Sequence, residues 1–293
     1  MGRIVPQVDA VVVVDNQSDA DELNMLRDVC ASPGAVDLIA NAENRGVAAA
    51  LNQGLQWARA RGYAWALMLD QDTTPTDRLV PTLAAIHHDA QATKRIAVIG
   101  ANYLDDDPAG ADYRRRAGGD GGRGWIETAT VLTSGSAVSL RAVEEIGPFR
   151  EELFIDHVDH EYCLRARARG FSVLLACEPL MTHSIGLAAK RRLLGTELRT
   201  QGHSAQRWYF KTRNLIVVVR RYWRREFRWA LAAVVWHVKT TATMAMFERE
   251  RWANLRDVMV GTWDGLRGRL GGYRGHGGRR RDRCVGGDGR TAG

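Results

Sequence analysis

The sequence WALMLDQD at residues 65–72 decides the fold class, because a short apolar run ends abruptly in two aspartates. A buried strand of a parallel sheet has this length and composition. Asp70 and Asp72 then lie at the carboxyl end of the strand, where ligands gather in open α/β sheets. Two carboxylates at this spacing can face one ligand, and oxygen ligands suit Mg²⁺ or Mn²⁺. The competing interpretation is a turn in which Asp72 or Thr73 caps the helix after Pro75.

Strands and helices are predicted to alternate on both sides of this segment. Apolar, β-branched runs bounded by turn residues predict strands at 10–14, 36–40, 63–69, 96–100, 126–132 and 171–176. Helical patterns occur between them at 20–30, 47–61, 77–90, 141–146 and 157–169. This order indicates an α/β fold, a Rossmann-like and mostly parallel sheet with flanking helices and right-handed crossovers.

The charge of the chain is distributed unevenly. With 45% hydrophobic and 26% charged residues among 293, the composition excludes a collagen-like or wholly disordered chain. Residues 1–183 hold 17 basic and 26 acidic side chains, whereas residues 184–293 hold 24 basic and 8 acidic ones. Because Trp and Leu are interleaved with the C-terminal arginines, we expect an anionic partner there, a membrane or a nucleic acid.

The chain changes character after residue 186. Residues 187–267 are predicted to be a helical region, with helices at 207–227, 229–247 and 255–266. Residues 268–293 are rich in Gly and Arg, which predicts a disordered tail. A Gly-, Asp- and Arg-rich segment at 105–124 is predicted to be a flexible loop.

The cysteines and the apolar runs indicate a cytoplasmic location. Four scattered cysteines lack CxxC spacing, which argues against a zinc ribbon or a disulfide scaffold and fits a reducing compartment. No N-terminal signal pattern is found, and no uninterrupted apolar run reaches the roughly 18 residues of a spanning helix.

A second cluster of titratable side chains lies at residues 156–161, sequence DHVDHE. On a helix, Asp156, Asp159 and His160 are near neighbours. Crowded carboxylates in a cleft raise one another's pKa, which suits a general base. The competing interpretation is an acidic first turn stabilised by the helix dipole, which accounts for one or two of the acids.

Seven motifs in this order resemble family 2 glycosyltransferases of the GT-A fold, and among them the bacterial rhamnosyltransferases. The motifs are VDNQS (14–18), NRGVAAALNQG (44–54), LDQD (69–72), SGS (134–136), IGPF (146–149), FIDHVDHEYCLR (154–165) and HSIG (183–186). A weaker likeness continues through RWYFKTRN at 207–214. The resemblance implies a GT-A nucleotide-sugar transferase domain over residues 1–186. The family places one more strand and helix before residues 10–14, and we expect a misplaced start codon.

The resemblance also implies a reaction and its cofactor. The reaction would be an inverting transfer of L-rhamnose from dTDP-L-rhamnose to a hydroxyl of a cell-surface glycan or a lipid-linked acceptor. A divalent cation, Mg²⁺ or Mn²⁺, would offset the charge of the diphosphate leaving group. By position in the motifs, Asp72 and His183 would bind the metal, and Asp70 would lie near the ribose and the metal. Asp15 and Arg45 would contact the nucleotide base.

The same resemblance assigns the acceptor side of the reaction to the second cluster. Asp159 matches the position of the family's catalytic base, which deprotonates the acceptor hydroxyl. Asp156 and Glu161 are second choices, which would orient the acceptor or Arg165.

Alternatives to this interpretation differ in substrate or in class. Galactofuranosyl or another hexosyl transfer would change the sugar alone. A nucleic-acid-binding protein would use the basic half, although the first half is acidic and no nucleic-acid-binding motif is found. An inactive nucleotide-sugar binder is the third alternative.

The C-terminal helices are expected to hold the protein at the inner face of the plasma membrane, as a peripheral contact on anionic lipid. Apolar side chains such as Trp223 and Phe227 accompany arginines such as Arg224. His237 and Lys239 interrupt the longest apolar stretch, so we expect no crossing of the membrane. The competing interpretation is a helical subdomain that packs on the GT-A core.

Overall fold

The computed structural model describes residues 2–31, 36–104, 122–183, 189–193, 196–200 and 202–273, and every structural statement below concerns these residues. Most of the predicted flexible loop at 105–124, up to residue 121, lies outside the described residues. The predicted tail beyond residue 273 and residues 184–186 of the HSIG motif also lie outside them.

Ten strands and eight helices form in the described residues. The strands are β1 (Val11–Asp15), β2 (Val36–Ala40), β3 (Trp65–Met68), β4 (Thr73–Pro75), β5 (Ile96–Leu104), β6 (Trp125–Glu127), β7 (Ser136–Ser139), β8 (Ser172–His183), β9 (Ala189–Leu193) and β10 (Thr196–Thr200). The helices are α1 (Ala20–Ala31), α2 (Val47–Ala60), α3 (Leu79–Ala90), α4 (Leu140–Ile146), α5 (Val158–Ala168), α6 (Ala205–Tyr222), α7 (Phe227–Phe247) and α8 (Arg251–Leu266). The predicted α/β alternation is therefore present, with most element bounds within a few residues.

The main sheet is mixed, whereas a mostly parallel sheet was predicted. Its order is β3-β7-β5-β8-β4, and β6 also pairs with β8. β5 and β8 are parallel, but β7 is antiparallel to both β3 and β5, and β4 and β6 are antiparallel to β8. Strands β4, β6 and β7 have three or four residues each, so they show too little periodicity to be recognised in the sequence. Without a crossover helix between partners, neighbouring strands need not be parallel.

β1 and β2 form a separate parallel pair that α2 joins to the main sheet. Their register pairs Val11 with Val36 and Asp15 with Ala40. α2 packs against both β1 and β3. The indole nitrogen of Trp57 in α2 also donates to Asp37 of β2 at 2.7 Å. The pair is thus held mainly through one helix.

One face of α2 is buried because small and apolar residues recur at helical spacing. This face consists of Ala48, Ala49, Asn52, Leu55 and Ala58. The buried amide of Asn52 exchanges hydrogen bonds with the backbone of Phe149, each 2.9 Å long. These bonds fix α2 against the segment that precedes α5.

The C-terminal region differs from its prediction at both ends. Residues 189–200, predicted to belong to a helical region, contain the antiparallel β9–β10 pair. Residues 268–273, predicted to be disordered, pack on the fold: Leu270 contacts the main core, and the Gly271 amide donates to the Glu152 carbonyl at 2.9 Å. The Tyr273 hydroxyl donates to Asp257 of α8. Two apolar side chains in a Gly- and Arg-rich segment are enough to extend the packed structure.

We predict opposite effects on stability for alanine at two glycines of the NRG motif region. Gly46 has a φ of +83°, and a Cβ there would lie 2.6 Å from Phe154 Cδ2 and 2.8 Å from the Phe154 carbonyl oxygen. Gly46→Ala should therefore lower the free energy of unfolding by about 3 kcal/mol. Gly54, within α2, has open space at its Cβ position, so Gly54→Ala should raise it by about 0.5–1 kcal/mol.

Guanidinium unfolding of both variants beside the parent chain measures the two effects. Equal transition midpoints for Gly46→Ala and the parent chain would contradict the close approach of residue 46 to Phe154.

Candidate functional site

Asp70 and Asp72 lie in an exposed turn directly after β3. The Thr73 amide donates to the Asp70 carbonyl at 3.1 Å, which closes the turn, and β4 begins at Thr73. Both aspartates are exposed. α3 begins only at Leu79 and has no side-chain cap at its N-terminus. The competing interpretation of a helix cap by Asp72 or Thr73 is therefore wrong.

The buried Ser134 stabilises this turn through side-chain hydrogen bonds. Ser134 is 3% exposed, and its hydroxyl accepts a hydrogen bond from the Asp70 amide at 3.0 Å. The same hydroxyl lies 2.6 Å from the Thr73 hydroxyl. The neighbouring Gly135 amide donates to the Met68 carbonyl at 2.8 Å. The SGS motif thus fixes the shape of the turn that carries the two carboxylates.

His183 is brought beside the same turn by strand pairing. It is the last residue of β8, and its Cα is the register partner of Thr73 in β4. Its side chain lies outside the described part of the structure. Carboxylate and imidazole donors suit Mg²⁺ or Mn²⁺, which share their coordination with phosphates. The described side chains contain no group of three that could hold a metal ion, so a metal here needs His183 or a phosphate to complete its coordination.

Asp15 is the last residue of β1, and Arg45 lies in the loop after β2; these are the residues predicted to contact the nucleotide base. Asp15 is 5% exposed, and both of its carboxylate oxygens accept from the Ser18 amide, at 3.2 and 3.3 Å. The side chain of Arg45 is exposed. Its amide donates to the Asn16 side chain at 3.0 Å, and Asn16 in turn donates to Asn44 at 3.0 Å. A network of amides therefore joins the two loops into one surface.

The segment before α5 has an unusual backbone. Phe154, Asp156 and His157 have φ angles of 66°, 60° and 60°, in the left-handed region that favours glycine. Such conformations cost about 1–3 kcal/mol each and persist only where the surroundings enforce them. They turn the chain sharply into α5 at Val158.

Asn214 of α6 enforces this backbone. Its buried amide nitrogen lies 2.8 Å from the carbonyl oxygens of Leu153 and Ile155 and 3.0 Å from that of Asp156. Arg213, whose side chain is fully buried, donates to the Asn214 amide oxygen at 2.9 Å and to the Leu153 carbonyl at 3.2 Å. The Arg213–Asn214 pair of the RWYFKTRN motif thus holds the loop at residues 154–157, called the FIDH loop below. The two segments lie about 60 residues apart in sequence.

Asp159 lies in the first turn of α5, close to the end of β3. Its Oδ1 accepts from the His160 amide at 2.7 Å, and no described residue donates to Oδ2. Asp159 lines one small cavity with Met68 of β3 and with Thr133 of the segment before the SGS motif. Burial raises the pKa of Cys163, another lining residue, to about 12, so its thiol stays protonated. Among the residues that line this cavity, Asp159 carries the carboxylate.

The two second-choice residues have different surroundings. Glu161 is 1% exposed, forms a 3.1 Å ion pair with Arg165, and accepts from the Tyr222 hydroxyl at 3.0 Å. It links α5 to α6 in the interior. Asp156 keeps 17% of its side chain exposed and pairs with Arg207 at 3.4 Å. Asp156 alone of the two faces the surface beside Asp159.

A group of four histidines and one lysine forms the side of the site next to α6 and α7. The Nδ1 atoms of His157 and His160 are 3.1 Å apart, and burial together with His160 keeps the pKa of His157 well below its usual value. Burial lowers the pKa of His203 and of His237 to about 4, and that of Lys211 to about 8. Sequence reasoning missed this group, because no spacing pattern connects residues 157, 203 and 237. The lowered pKa values of His157, His203 and His237 favour the neutral imidazoles at pH 7.

Comparisons with known proteins place this geometry among sugar-transferring enzymes. Residues 5–145 match the family Glycosyl transferase family 2. The chain is 26% identical over 273 residues to dTDP-rhamnosyl transferase RfbF of Shigella flexneri, which covers 90% of this chain and 88% of the relative.

Two solved structures share the fold. The mannosyltransferase PcManGT from Pyrobaculum calidifontis, solved with GDP-Man and Mn²⁺, has a TM-score of 0.57 at 14% identity and covers 89% of this chain and 81% of its own. TarS 1–349 of S. aureus has a TM-score of 0.50 at 13% identity and covers 92% of this chain and 77% of its own. At these identities the likeness concerns the fold, and it confirms the predicted GT-A architecture.

We predict that Asn214→Ala destabilises the chain and loosens the FIDH loop. The substitution removes the Asn214 donor from three carbonyls, of which that of Leu153 keeps Arg213, and this should lower the free energy of unfolding by about 1–3 kcal/mol. Amide hydrogen exchange should rise at residues 153–157. The matched control is Asn24→Ala, at an exposed position of α1, where the change should stay within about 0.5 kcal/mol. Equal stability of both variants would refute the supporting role of Asn214.

Proposed function

We propose that this chain, a glycosyltransferase with a family 2 domain at residues 5–145 on a GT-A fold, transfers L-rhamnose from dTDP-L-rhamnose to an acceptor hydroxyl with inversion. One observation carries the proposal. Asp159 and Met68 line one small cavity, and Met68 lies two residues before Asp70, which supports a general base near the strand end that carries the two aspartates. The choice of sugar is supported by the similarity to dTDP-rhamnosyl transferase RfbF over 90% of the chain.

Asp159 is proposed as the general base. Its Oδ2 accepts the proton of the acceptor hydroxyl while the acceptor oxygen attacks the anomeric carbon. The bond from that carbon to the diphosphate oxygen breaks, and the nucleoside diphosphate leaves from the opposite face, which inverts the carbon. The His160 amide holds Oδ1 in place, so the carboxylate is already oriented before the acceptor arrives.

Asp72 and His183 are the proposed metal ligands, with Asp70 beside them near the ribose. The exposed DQD turn and the backbone pairing of Thr73 with His183 support this assignment, because the two segments lie side by side at one edge. A divalent cation bound there, Mg²⁺ or Mn²⁺, supplies charge neutralisation for the diphosphate leaving group. A mannosyltransferase of the same fold was solved with Mn²⁺, which supports the choice of a divalent cation.

Asp15 and Arg45 are proposed to contact the nucleotide. The Asp15 carboxylate holds the VDNQS loop through the Ser18 amide, and the exposed Arg45 offers a cation at the same edge. The proposed acceptor is a cell-surface glycan or a lipid-linked precursor, and the proposed location is the cytoplasmic side of the plasma membrane. The family match favours this enzyme over the nucleic-acid-binding alternative.

We predict that Asp159→Asn keeps donor binding and loses transfer. An amide cannot accept the acceptor proton, so turnover should fall by about 10² to 10⁴. Calorimetric titration with dTDP should give an affinity close to that of the parent chain. The comparison variant is Asp156→Asn, which retains the Asp159 carboxylate. A larger loss of turnover in Asp156→Asn than in Asp159→Asn would assign the base to Asp156 instead.

We predict that turnover requires a divalent cation and that Asp72→Asn removes most of it. The carboxylate offers a full negative charge to the ion, and the amide does not. EDTA should abolish release of dTDP from dTDP-L-rhamnose, and added Mn²⁺ or Mg²⁺ should restore it in the parent chain but not in Asp72→Asn. The matched control is Asp77→Asn, an exposed aspartate five residues later. Full turnover in EDTA would reject the metal site.

A further inference from the structure

Helix α7 carries a continuous apolar stripe on its exposed side. Phe227, Leu231, Val234, Val235 and Val238 recur at helical spacing and are 40–59% exposed. In a helix that packs on a core, this spacing marks the buried face. The buried residues of α7 are instead Ala230, Thr243 and Met244. Its longest apolar stripe therefore points away from the protein.

Helix α8 likewise has polar and small residues on its buried face and large apolar residues on its exposed face. Its buried residues are Asn254, Asp257, Gly261, Asp264 and Gly265. Gly261 and Gly265 allow a close approach to the backbone of α6, since a Cβ at these positions would lie 2.5 Å from Tyr209 O and 2.9 Å from Arg213 O. Its large apolar side chains with the greatest exposure, 54–74%, are Trp252, Met259, Trp263 and Leu266. Polar and small residues inside with apolar residues outside suit contact with lipid rather than with water.

The charged side chains of residues 220–273 are also divided between the interior and the surface. Four of the region's five acidic side chains are engaged: Asp264 accepts from Tyr209 at 2.9 Å, Asp257 accepts from Tyr273, Glu226 pairs with Arg167 at 2.6 Å, and Glu248 accepts from Asn254 at 2.8 Å, whereas Glu250 is exposed. Its arginines are exposed, and they are Arg220, Arg221, Arg224, Arg225, Arg228, Arg249, Arg251, Arg256, Arg267 and Arg269. The apolar stripes are thus surrounded by positive charge with little compensating negative charge at the surface.

Exposed tryptophans of this region are paired with arginines. The Arg267 guanidinium lies 3.4 Å from the Trp263 ring centroid, that of Arg224 5.4 Å from Trp223, and that of Arg251 5.8 Å from Trp252. Amphipathic aromatic rings next to cations are typical of the headgroup level of a membrane, where one end of the side chain is apolar and the other is solvated.

We propose that the exposed faces of α7 and α8 dock on an anionic lipid membrane and lie in its interface without crossing it. Helix α7 is long and apolar enough to span a bilayer, with 21 residues and a mean hydropathy of 1.2, but these criteria concern length and composition only. His237 on its inner side lies 3.2 Å from the Thr212 hydroxyl of α6. The exposed Lys239 interrupts the run of apolar residues within the helix. A helix bound to α6 in this way can offer one face to lipid, and its arginines match the negative headgroups.

The docking surface starts next to the proposed general base. Trp229 in the first turn of α7 meets the His160 ring edge-on, with centroids 5.6 Å apart, and His160 follows Asp159 in α5. This part of the inference rests on the proposed function. A membrane under Phe227 and Leu231 brings Asp159 close to the surface at which a lipid-linked acceptor presents its hydroxyl.

Vesicle co-sedimentation of the full chain tests the docking surface without reference to catalysis. The parent chain should bind vesicles of phosphatidylglycerol and phosphatidylcholine, and bind pure phosphatidylcholine vesicles more weakly. Raising the salt from about 0.1 M to about 1 M should weaken binding, because the Debye length falls from about 10 Å to about 3 Å. Leu231→Glu/Val235→Glu should weaken binding at least about tenfold, since it places two carboxylates in the apolar stripe.

The matched control is Met25→Glu/Val29→Glu, the same change at two exposed positions one turn apart on α1, and it should bind like the parent chain. Equal binding by the α7 variant and the control, or no binding of the parent chain to anionic vesicles, would overturn the proposal. A dimer in sedimentation velocity that the α7 variant disrupts, without vesicle binding, would assign the surface to a second copy. Release from vesicles only by detergent would show a spanning helix instead.

Calorimetric titration with dTDP-L-rhamnose in detergent-free, lipid-free buffer separates this proposal from the proposed function, because donor binding needs no acceptor. The α7 variant and its control should both bind the donor with the affinity of the parent chain. Vesicle binding without donor binding in the parent chain would leave the docking surface standing and would reject the proposed donor.

Discussion

The candidate site depends on the hydrogen bonds that the buried Asn214 amide donates to the strained FIDH loop. Asn214 binds the carbonyls of Leu153, Ile155 and Asp156, and Arg213 fixes the orientation of that amide. Because three residues of this loop have left-handed backbones, the loop would relax without α6, and α5 with Asp159 would turn with it. Residues on both sides of the predicted boundary at residue 186 therefore fix the backbone of this one loop.

The same reasoning explains which parts of the site the sequence could predict. Asp70, Asp72 and Asp159 belong to short local patterns, a strand end and an acidic helix start, and local patterns are visible in one sequence. The support of Asp70 by Ser134 and of the FIDH loop by Asn214 connects residues about 60 positions apart, so no local period reveals it. The four histidines beside α6 come from three separate segments, and each alone is an ordinary polar residue.

The fold shows a similar division between local and distant constraints. The helices were predicted well, because α2 and α3 have long amphipathic patterns and α2 is bounded by Gly46 and Gly62. The antiparallel partners in the sheet were missed, because β4, β6 and β7 are short and their direction depends on pairing with β8 or β5 rather than on their own composition. The packing of Leu270 and Tyr273 was missed for the opposite reason. Two anchoring side chains do not change the average composition of a Gly- and Arg-rich segment.

The attachment of β1 and β2 through α2 has a thermodynamic consequence. A two-stranded unit outside the six-stranded sheet has few strand partners, so its opening costs less free energy than global unfolding. The unit carries Asp15 and Arg45, the residues proposed to contact the nucleotide. A ligand that binds only the packed form of this unit would shift that local equilibrium toward it. Under the proposed function, part of the donor's binding energy would go into ordering this unit, and donor affinity and local rigidity would be two measures of one equilibrium.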